Sequence, residues 1–166
     1  LSLPLDYPRP KLQTFNGGVI KHRLTSTLSQ ELNALAAQKQ CSLFVLFMAL
    51  YSKLLSRYSG QDEVFIGTPI ANRHIAGTST ICGLFANTQV YRCQYVDGQT
   101  IDELIDQVKR DSIAAQEHQD LPFEQLVNAL SLERDQSRTP LFQAMMTLQQ
   151  GAKDLALAPL NDLSVS

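Results

Sequence analysis

Several patterns are scarce or absent in this 166-residue chain, and each shortage excludes a class of protein. The longest unbroken apolar run, residues 43–51, is far shorter than the roughly 20 residues of a membrane-spanning helix. Charged residues make up 18%, and the net charge is −2. This balance argues against a nucleic-acid-binding surface and against a basic membrane-binding patch.

Cysteine is also scarce, with Cys41, Cys82 and Cys93 as its only three copies. An odd number without a CxxC spacing fits neither a disulfide framework nor a zinc site. The same usage is typical of a reducing compartment, so we expect a cytoplasmic protein. No metal ion and no disulfide are expected to hold this chain.

What is present is the composition of a globular protein, with 44% apolar residues. The length fits one domain or a large piece of one. The chain does not begin with Met, and residues 157–166 have the pattern of a β segment that stops short. We therefore expect a piece of a longer polypeptide.

Hydrophobic periodicity predicts alternating strands and helices. Strands are predicted at 19–24, 63–69, 87–95 and 141–149. Capping-box spacings predict helices beginning near Thr27 and Thr100, and Ser42 and Pro122 suit the starts of two more. The order β-α-α-β-β-α-α-β predicts an α/β fold, a mixed sheet flanked by helices.

The helix that follows Ser42 is predicted to be central and mostly buried, because only one stripe of it is polar. Its two apolar sides carry Leu43, Phe47, Leu50 and Leu54, and Phe44, Met48, Tyr51 and Leu55. The polar stripe consists of Ser52, Lys53, Ser56 and Arg57.

The common catalytic motifs are missing. The sequence contains no GxxxxGK[ST] or GxGxxG phosphate loop, no HExxH and no GxSxG. The histidines His22, His74 and His118 are far apart. Each can titrate near neutral pH, but a surface or structural role is the first interpretation of each.

Three short segments carry candidate functional groups. In 81–88, Gly83 can let another backbone approach closely, and Asn87 either grips a substrate amide or closes a local turn. In 118–124, Asp120 and Glu124 lie near the positive end of a predicted helix. A structural role, with Asp120 as the cap and His118 as the charge that ends the previous helix, is also sufficient there.

The third segment, 134–141, contains Arg134, Asp135 and Arg138. Two arginines at this spacing can clamp carboxylates such as Glu124 or Asp120. We expect a structural ion-pair role for them.

These segments resemble signature motifs of the condensation domains of nonribosomal peptide synthetases. Residues 82–88 followed by Arg92 are similar to [IV]GxFVNT with its strand-ending arginine, except that Ala86 replaces the usual valine. Residues 118–124 match HQDxPFE, and 134–143 match RDxSRxPLFQ, both without interruption. Residues 6–10 and 67–73 are also similar to family segments, in family order.

The resemblance implies one lobe of a two-lobed fold like that of chloramphenicol acetyltransferase, with the active site in a tunnel between the lobes. The family's HHxxxDG motif, which belongs to the N-terminal lobe, does not occur in this sequence. Residues 1–166 therefore look like the C-terminal lobe alone. The implied reaction is amide formation between a thioester-bound acyl or peptidyl donor and an aminoacyl acceptor, and this chain, with no catalytic residue, is expected to be inactive alone.

The resemblance also implies partners and residue roles. The 4′-phosphopantetheine arms would arrive on upstream and downstream peptidyl carrier proteins, because no GGxS serine exists here to carry one. The N-terminal lobe and an adenylation domain would be neighbours. Tunnel-bordering residues would be Gly83, Asn87, Thr88, His118, Gln119 and Asp120, and structural ones Arg92, Glu124, Arg134, Asp135 and Arg138.

Two alternatives stay open at this point. The chain could be a non-catalytic scaffold that docks carrier proteins, or it could come from a sister epimerisation or heterocyclisation domain. Under the tunnel assignment, Asn87→Ala is expected to slow condensation with little loss of stability, whereas Arg138→Ala is expected mainly to lower the melting temperature.

Overall fold

A three-stranded sheet with helices packed on it forms the described part of the chain, which is residues 1–131 and 135–149 of a computed structural model. The predicted order is confirmed except for its first strand, and the predicted β segment at 157–166 lies outside the described residues. The elements are α1 (Ser26–Gln38), α2 (Leu43–Ser59), β1 (Glu63–Ile70), a 3-10 turn (Thr78–Thr80), β2 (Asn87–Gln94), α3 (Ile101–Glu117), α4 (Phe123–Ala129) and β3 (Ala144–Met145).

The sheet is mixed, as predicted, with the strand order β2-β1-β3. Strands β1 and β2 are antiparallel, from Glu63 opposite Gln94 to Ile70 opposite Asn87. Strand β3 runs parallel to β1 and pairs with it at Ile66 and Gly67. Because side chains alternate along a strand, each strand presents one set of residues to the helices and another to the opposite face.

The core lies between the sheet and helices α2 and α3. Val64 and Ile66 of β1 are fully buried there, against apolar residues of both helices. The helical contribution consists of Val45, Leu46, Met48 and Ala49 of α2 and Leu104, Ile105 and Val108 of α3.

The predicted faces of α2 are partly wrong. Ser52 and Ser56 are buried, whereas Leu50 and Leu54 are 38% and 51% exposed. Small serines let the helix approach the sheet closely, and the Ser52 hydroxyl is satisfied because it donates to the Ala49 carbonyl at 3.0 Å. No single helix in the described residues is long and apolar enough to cross a membrane. Helices α1 and α2 taken together pass that test on length and composition alone, but a bend of 102° separates them.

The expected strand at 19–24 is not formed. Val19 and Ile20 are 84% and 99% exposed, and the segment has no strand partner among the described residues. Alternation alone does not make a strand, because a strand needs a neighbour for its backbone hydrogen bonds. Helix α1 also begins earlier than expected, since Thr25 rather than Thr27 accepts a capping hydrogen bond, from Leu28 N–H at 3.2 Å.

The capping box of α3 is confirmed. The Thr100 hydroxyl accepts from the Glu103 N–H at 3.2 Å, and the Glu103 carboxylate accepts from the Thr100 N–H at 2.8 Å. The helix runs to Glu117, with His118 as its C-cap. The C-terminus of α3 therefore places the 118–124 segment at one end of the sheet.

Phe142 lies directly over Gly67, on the sheet face opposite α2 and α3. The turn before it places Leu141 at a φ of 67°, and the Phe142 N–H donates to the Pro140 carbonyl at 2.9 Å. A Cβ at Gly67 would stand 2.6 Å from the Phe142 ring. Glycine is therefore required at this position by close approach.

Replacing Gly67 with alanine is expected to lower the free energy of unfolding by about 2 kcal/mol, because the buried Phe142 ring must move off the strand. Gly17→Ala is the matched control, since nothing lies within 4 Å of a Cβ there. Chemical denaturation of both variants measures the difference. Equal midpoints for Gly67→Ala and Gly17→Ala would contradict the packing described.

Candidate functional site

The segments 81–88 and 118–124 meet at the end of the sheet where β1 stops and β2 begins. Their link is the side chain of Asn87, the first residue of β2. Its Nδ2 donates to the Gln119 carbonyl at 3.1 Å and to the Leu121 carbonyl at 2.8 Å. Its Oδ1 accepts from the Phe123 N–H at 3.1 Å and from the Thr88 N–H at 2.8 Å. The hydrogen-bonding capacity of the amide is thereby used.

Asn87 caps helix α4 from a distant strand. Phe123 is the first residue of that helix, and its preceding residue, Pro122, offers no side-chain cap. The expectation that Asp120 caps α4 is therefore wrong. Asn87 therefore does more than close a local turn, and its amide is not free to bind a substrate. Contrary to the expectation from sequence, loss of this amide should destabilise the fold.

The polar residues of the 118–124 segment have different surroundings. The Asp120 carboxylate lies 3.4 Å from His74 Nε2, and the contact leaves the Asp120 side chain 71% exposed. An exposed contact of this kind contributes little to stability. His118 is exposed, and its carbonyl accepts from the Leu121 N–H at 3.2 Å. The segment is shaped mainly through its backbone, which Asn87 holds.

A second strand residue assists Asn87. The Gln89 side chain, two positions along β2 and hence on the same face, donates to the Ala115 carbonyl at 2.5 Å. Thr88, between them, is partly buried and pairs with Pro69 of β1. The end of α3 and the turn after it are thus tied to β2 at two points.

Arg73 organises the loop before β2, a role that sequence reasoning missed. Its guanidinium donates to the carbonyls of Thr78, Ile81 and Gly83, the last two at 2.9 and 3.0 Å. It also lies over the Phe85 ring, 4.3 Å from the centroid. A single arginine in a loop forms no periodic pattern, so only its place in the family-like segment 67–73 drew attention to it.

The expectation that Gly83 lets another backbone approach closely is wrong. This glycine is exposed, and in the described part of the chain the nearest neighbour of a Cβ at Gly83 would be the Phe85 ring at 3.3 Å, not another backbone. Its carbonyl is instead one of the three that Arg73 holds. Gly83 therefore contributes to the loop as a hydrogen-bond acceptor.

A groove of about 1370 Å³, the outer groove, lies on the opposite face of the sheet between β1, β2, α4 and residues 135–143. Phe65 and Val90 form its apolar floor. Arg92 crosses it, with Nε 2.6 Å from the Glu63 carboxylate, which also accepts from Gln94 at 3.1 Å. Glu124 stands at its edge as an exposed residue in the first turn of α4.

Arg138 pairs with Asp135, not with Glu124 or Asp120 as expected, because a tight turn brings these two together. The Asp135 carboxylate accepts from the Ser137 N–H at 2.9 Å and from the Ser137 hydroxyl at 2.6 Å. The pair lines the outer groove. Arg134 lies outside the described residues.

Asp135 makes the stability of this turn depend on pH. Hydrogen bonds from Ser137, and then from Arg138, hold the pKa of the Asp135 carboxyl well below its usual range. A lowered folded-state pKa stabilises the fold above the unfolded value of about 4, and this stabilisation is lost as pH falls from there through the folded value.

We therefore expect Asp135→Asn to lower the melting temperature by a constant, small amount above about pH 5. The difference from the original protein should shrink as the pH falls below about 4. Melting curves from pH 3 to 7 measure it, with the exposed Asp6→Asn as the control. A difference that stays constant down to pH 3 would contradict the assignment.

Within residues 1–131 and 135–149, the hydrogen bonds of Asn87, Gln89 and Arg73 hold backbone segments in place. No group of three or more His, Cys, Asp or Glu side chains in these ranges could hold a metal ion, and Cys41, Cys82 and Cys93 are unpaired. His74 faces Asp120, and His118 caps a helix. The arrangement suits the positioning of bound groups.

Comparison with known protein families gives one match over almost the whole chain, a family described as "Condensation domain" at residues 1–164. Among curated proteins, tyrocidine synthase 3 of Brevibacillus parabrevis is 38% identical over 161 residues, which are 96% of this chain and 2% of that protein. Surfactin synthase subunit 1 of Bacillus subtilis (strain 168) is 39% identical over 166 residues, all of this chain and 5% of that protein. The chain thus spans a small part of these synthases.

Solved structures show the same fold. A four-domain nonribosomal peptide synthetase in its holo form, bound to AMP and glycine, matches with a TM-score of 0.87 and 30% identity over 91% of this chain and 12% of that one. The X-domain from teicoplanin biosynthesis matches with a TM-score of 0.81 and 26% identity, over 87% of this chain and 32% of that one.

Proposed function

Because the chain belongs to the condensation-domain family of nonribosomal peptide synthetases, whose function is to form peptide bonds, we propose that residues 1–166 are the C-terminal lobe of such a domain. The domain would join a carrier-bound acyl or peptidyl thioester to a carrier-bound aminoacyl acceptor. The lobe would line one side of the substrate tunnel, and the catalytic histidine motif would come from the N-terminal lobe.

One observation supports this role most directly: the Asn87 side chain joins two of the family-like segments, 82–88 and 118–124. Three of the four hydrogen bonds of this amide fix the turn at 119–123 against the start of β2. A thioester is already activated, so holding the amine and the carbonyl in the correct geometry can supply much of the rate. A rigid wall is what such a reaction requires from this lobe.

We assign the residues accordingly. Gly83, Thr88, His118, Gln119 and Asp120 border the tunnel. Asn87 holds the turn at 119–123, and Arg73 holds the Gly83 carbonyl. The residues of the outer groove have a structural role, through the ion pairs of Arg92 with Glu63 and of Arg138 with Asp135.

The proposed function implies partners. The 4′-phosphopantetheine arms would come from upstream and downstream peptidyl carrier proteins, with an adenylation domain as a further neighbour. The N-terminal lobe would complete the tunnel. Free cysteines fit the cytoplasm, which is where we place the domain.

A second candidate is a lobe that binds other proteins without catalysing a reaction. The fold likeness to the teicoplanin X-domain favours it, because that domain has also been solved in complex with OxyB. Epimerisation and heterocyclisation domains are sister possibilities, against which the uninterrupted 118–124 and 134–143 segments argue.

The experiment compares the purified 166-residue chain with a protein extended through the upstream lobe. Both receive donor and acceptor groups loaded on carrier proteins, and amide product is measured by mass spectrometry. Product is expected only from the extended protein. Product from the short chain at a similar rate would place the catalytic group in this lobe, whereas an extended protein that binds carriers without forming product would favour the docking role.

A further inference from the structure

The helix-facing side of the sheet changes from apolar to polar toward the end where Asn87 lies. Along β1, the buried Val64 and Ile66 are followed on the same face by Thr68. Along α3, residues spaced by four change in the same direction, in the order Leu104, Val108, Ser112 and Gln116. The two polar ends meet, and a cleft that is open to solvent at Ser42 and Gln116 lies there instead of packed apolar groups.

This cleft, the polar pocket, has a volume of about 370 Å³. Phe44 and Ile70 are its apolar walls, and Gln119 closes one side. The other lining groups are hydroxyls and amides, from Ser42, Thr68, Gln89, Tyr91, Ser112 and Gln116. Its size lies at the lower end of the range of small-molecule pockets, which hold roughly 300–1,000 Å³.

The hydroxyl of Thr68 is a hydrogen-bonding group that a bound molecule would satisfy. Thr68 is only 6% exposed, and its Oγ1 is buried without a hydrogen-bond partner in the described part of the chain. Leaving such a group unsatisfied destabilises the folded state. Nearby, the Tyr91 hydroxyl lies 3.5 Å from Ser112 Oγ, at the limit of a hydrogen bond. A ligand with its own donor and acceptor would satisfy these groups together.

The lining also limits the charge of the ligand. None of the nine lining residues is ionised at neutral pH, and burial raises the pKa of the Tyr91 phenol, which keeps it a donor. The lining therefore offers no counter-charge to an ionised ligand. Helix α2 begins beside the pocket, after its N-cap Ser42, so the partial positive charge of the helix end favours an oxygen atom.

We propose that the polar pocket binds an uncharged amide or hydroxyl group of the acceptor substrate. This inference rests on the proposed function. Gln119 connects the pocket with the tunnel wall, because it lines the pocket and its carbonyl accepts a hydrogen bond from Asn87. The group could belong to the side chain of the aminoacyl residue or to the amide-bearing carrier arm. Both present the same chemistry, and the kinetic experiment below separates them.

Binding can be tested without turnover in the complete condensation domain. The δ-methyl of Ile70, on the pocket wall, serves as the NMR reporter during titration with N-methylacetamide, and acetate serves as the charged counterpart. We expect a saturable shift with the amide only. Thr68→Val, which keeps the shape and removes the hydroxyl, should weaken binding about five- to tenfold, as expected for one lost hydrogen bond.

The melting temperature of Thr68→Val should equal or exceed that of the original protein, because an unsatisfied hydroxyl is removed. Thr27→Val, on the exposed surface of α1, is the matched control, and Ser112→Ala provides a second pocket variant if Thr68→Val does not fold. Equal shifts with amide and acetate, or unchanged binding in both pocket variants, would overturn the proposal.

Kinetics with carrier-bound acceptors then identify the source of the group. A loss of kcat/KM in Thr68→Val with glutaminyl but not alanyl acceptors assigns the pocket to the side chain, whereas an equal loss with both assigns it to the carrier arm. No loss with either overturns the proposal. If the original domain forms no amide at all, the proposed function fails, and the Ile70 titration still decides on the pocket.

Discussion

Asn87→Ala is expected to lower the free energy of unfolding by about 3 kcal/mol and to slow amide formation at least tenfold in the complete domain. The variant loses four hydrogen bonds and leaves the carbonyls of Gln119 and Leu121 and the N–H of Phe123 without their partner. Each unpaired group costs about 1–3 kcal/mol where it is shielded from water, and less where water replaces the lost partner. Denaturant unfolding and a carrier-based condensation assay measure the two effects.

Asn33→Ala is the matched control, because among the described residues the Asn33 amide makes a single hydrogen bond, to the Ser29 carbonyl of its own helix at 2.7 Å. We expect a change within about 0.5 kcal/mol. Asn87→Asp should be intermediate, since it keeps the acceptor for the Phe123 N–H and loses both donors. If Asn87→Ala unfolds like the original protein and only its activity falls, the amide touches substrate and its structural role is wrong.

Arg73→Ala is expected to destabilise the domain by about 2–3 kcal/mol, because three carbonyls and the Phe85 ring lose one shared partner. Arg73→Lys should recover little of this loss, since an ammonium group lacks the planar fork that reaches several acceptors at once. The difference in unfolding free energy between Arg73→Lys and Arg73→Ala therefore measures the contribution of the positive charge, apart from that of the guanidinium geometry.

The functional effect of Arg73 is expected in kcat more than in KM, as for a residue that positions the proposed tunnel wall without touching substrate. Limited proteolysis of the Arg73→Lys protein should give new cleavage between residues 74 and 86. Arg57→Lys, exposed in the last turn of α2, is the control. Full activity in Arg73→Lys would show that the loop needs only a positive charge.

The features that could be predicted from the sequence depend on residues close together in the chain. The Thr100–Glu103 capping box spans one helical turn, and the apolar run of β1 lies within a single strand. The signature segments are recognisable for the same reason, because each is a short continuous stretch of sequence. The contact between two of them in the fold cannot be predicted from either stretch alone.

The errors arise where distant residues decide the outcome. The amide of Asn87 is shared with residues 32 to 36 positions away, so no local pattern reveals it. The alternation at 19–24 is correct for a strand but has no partner among the described residues. Ser52 is fully buried in the packing of α2, although it is polar. Helical periodicity, which sorts residues by polarity, assigns such a residue to the exposed face.

The distant cap on α4 has a consequence for the order of folding. With seven residues and no capping side chain of its own, α4 is too short to persist alone in water. Its first amide is anchored by a residue 36 positions earlier, which is in place only once β2 has paired with β1. The hydrogen of that amide should therefore exchange with solvent at a rate set by opening of the sheet. The 118–124 segment would acquire its working shape late in folding, after the core beneath it has formed.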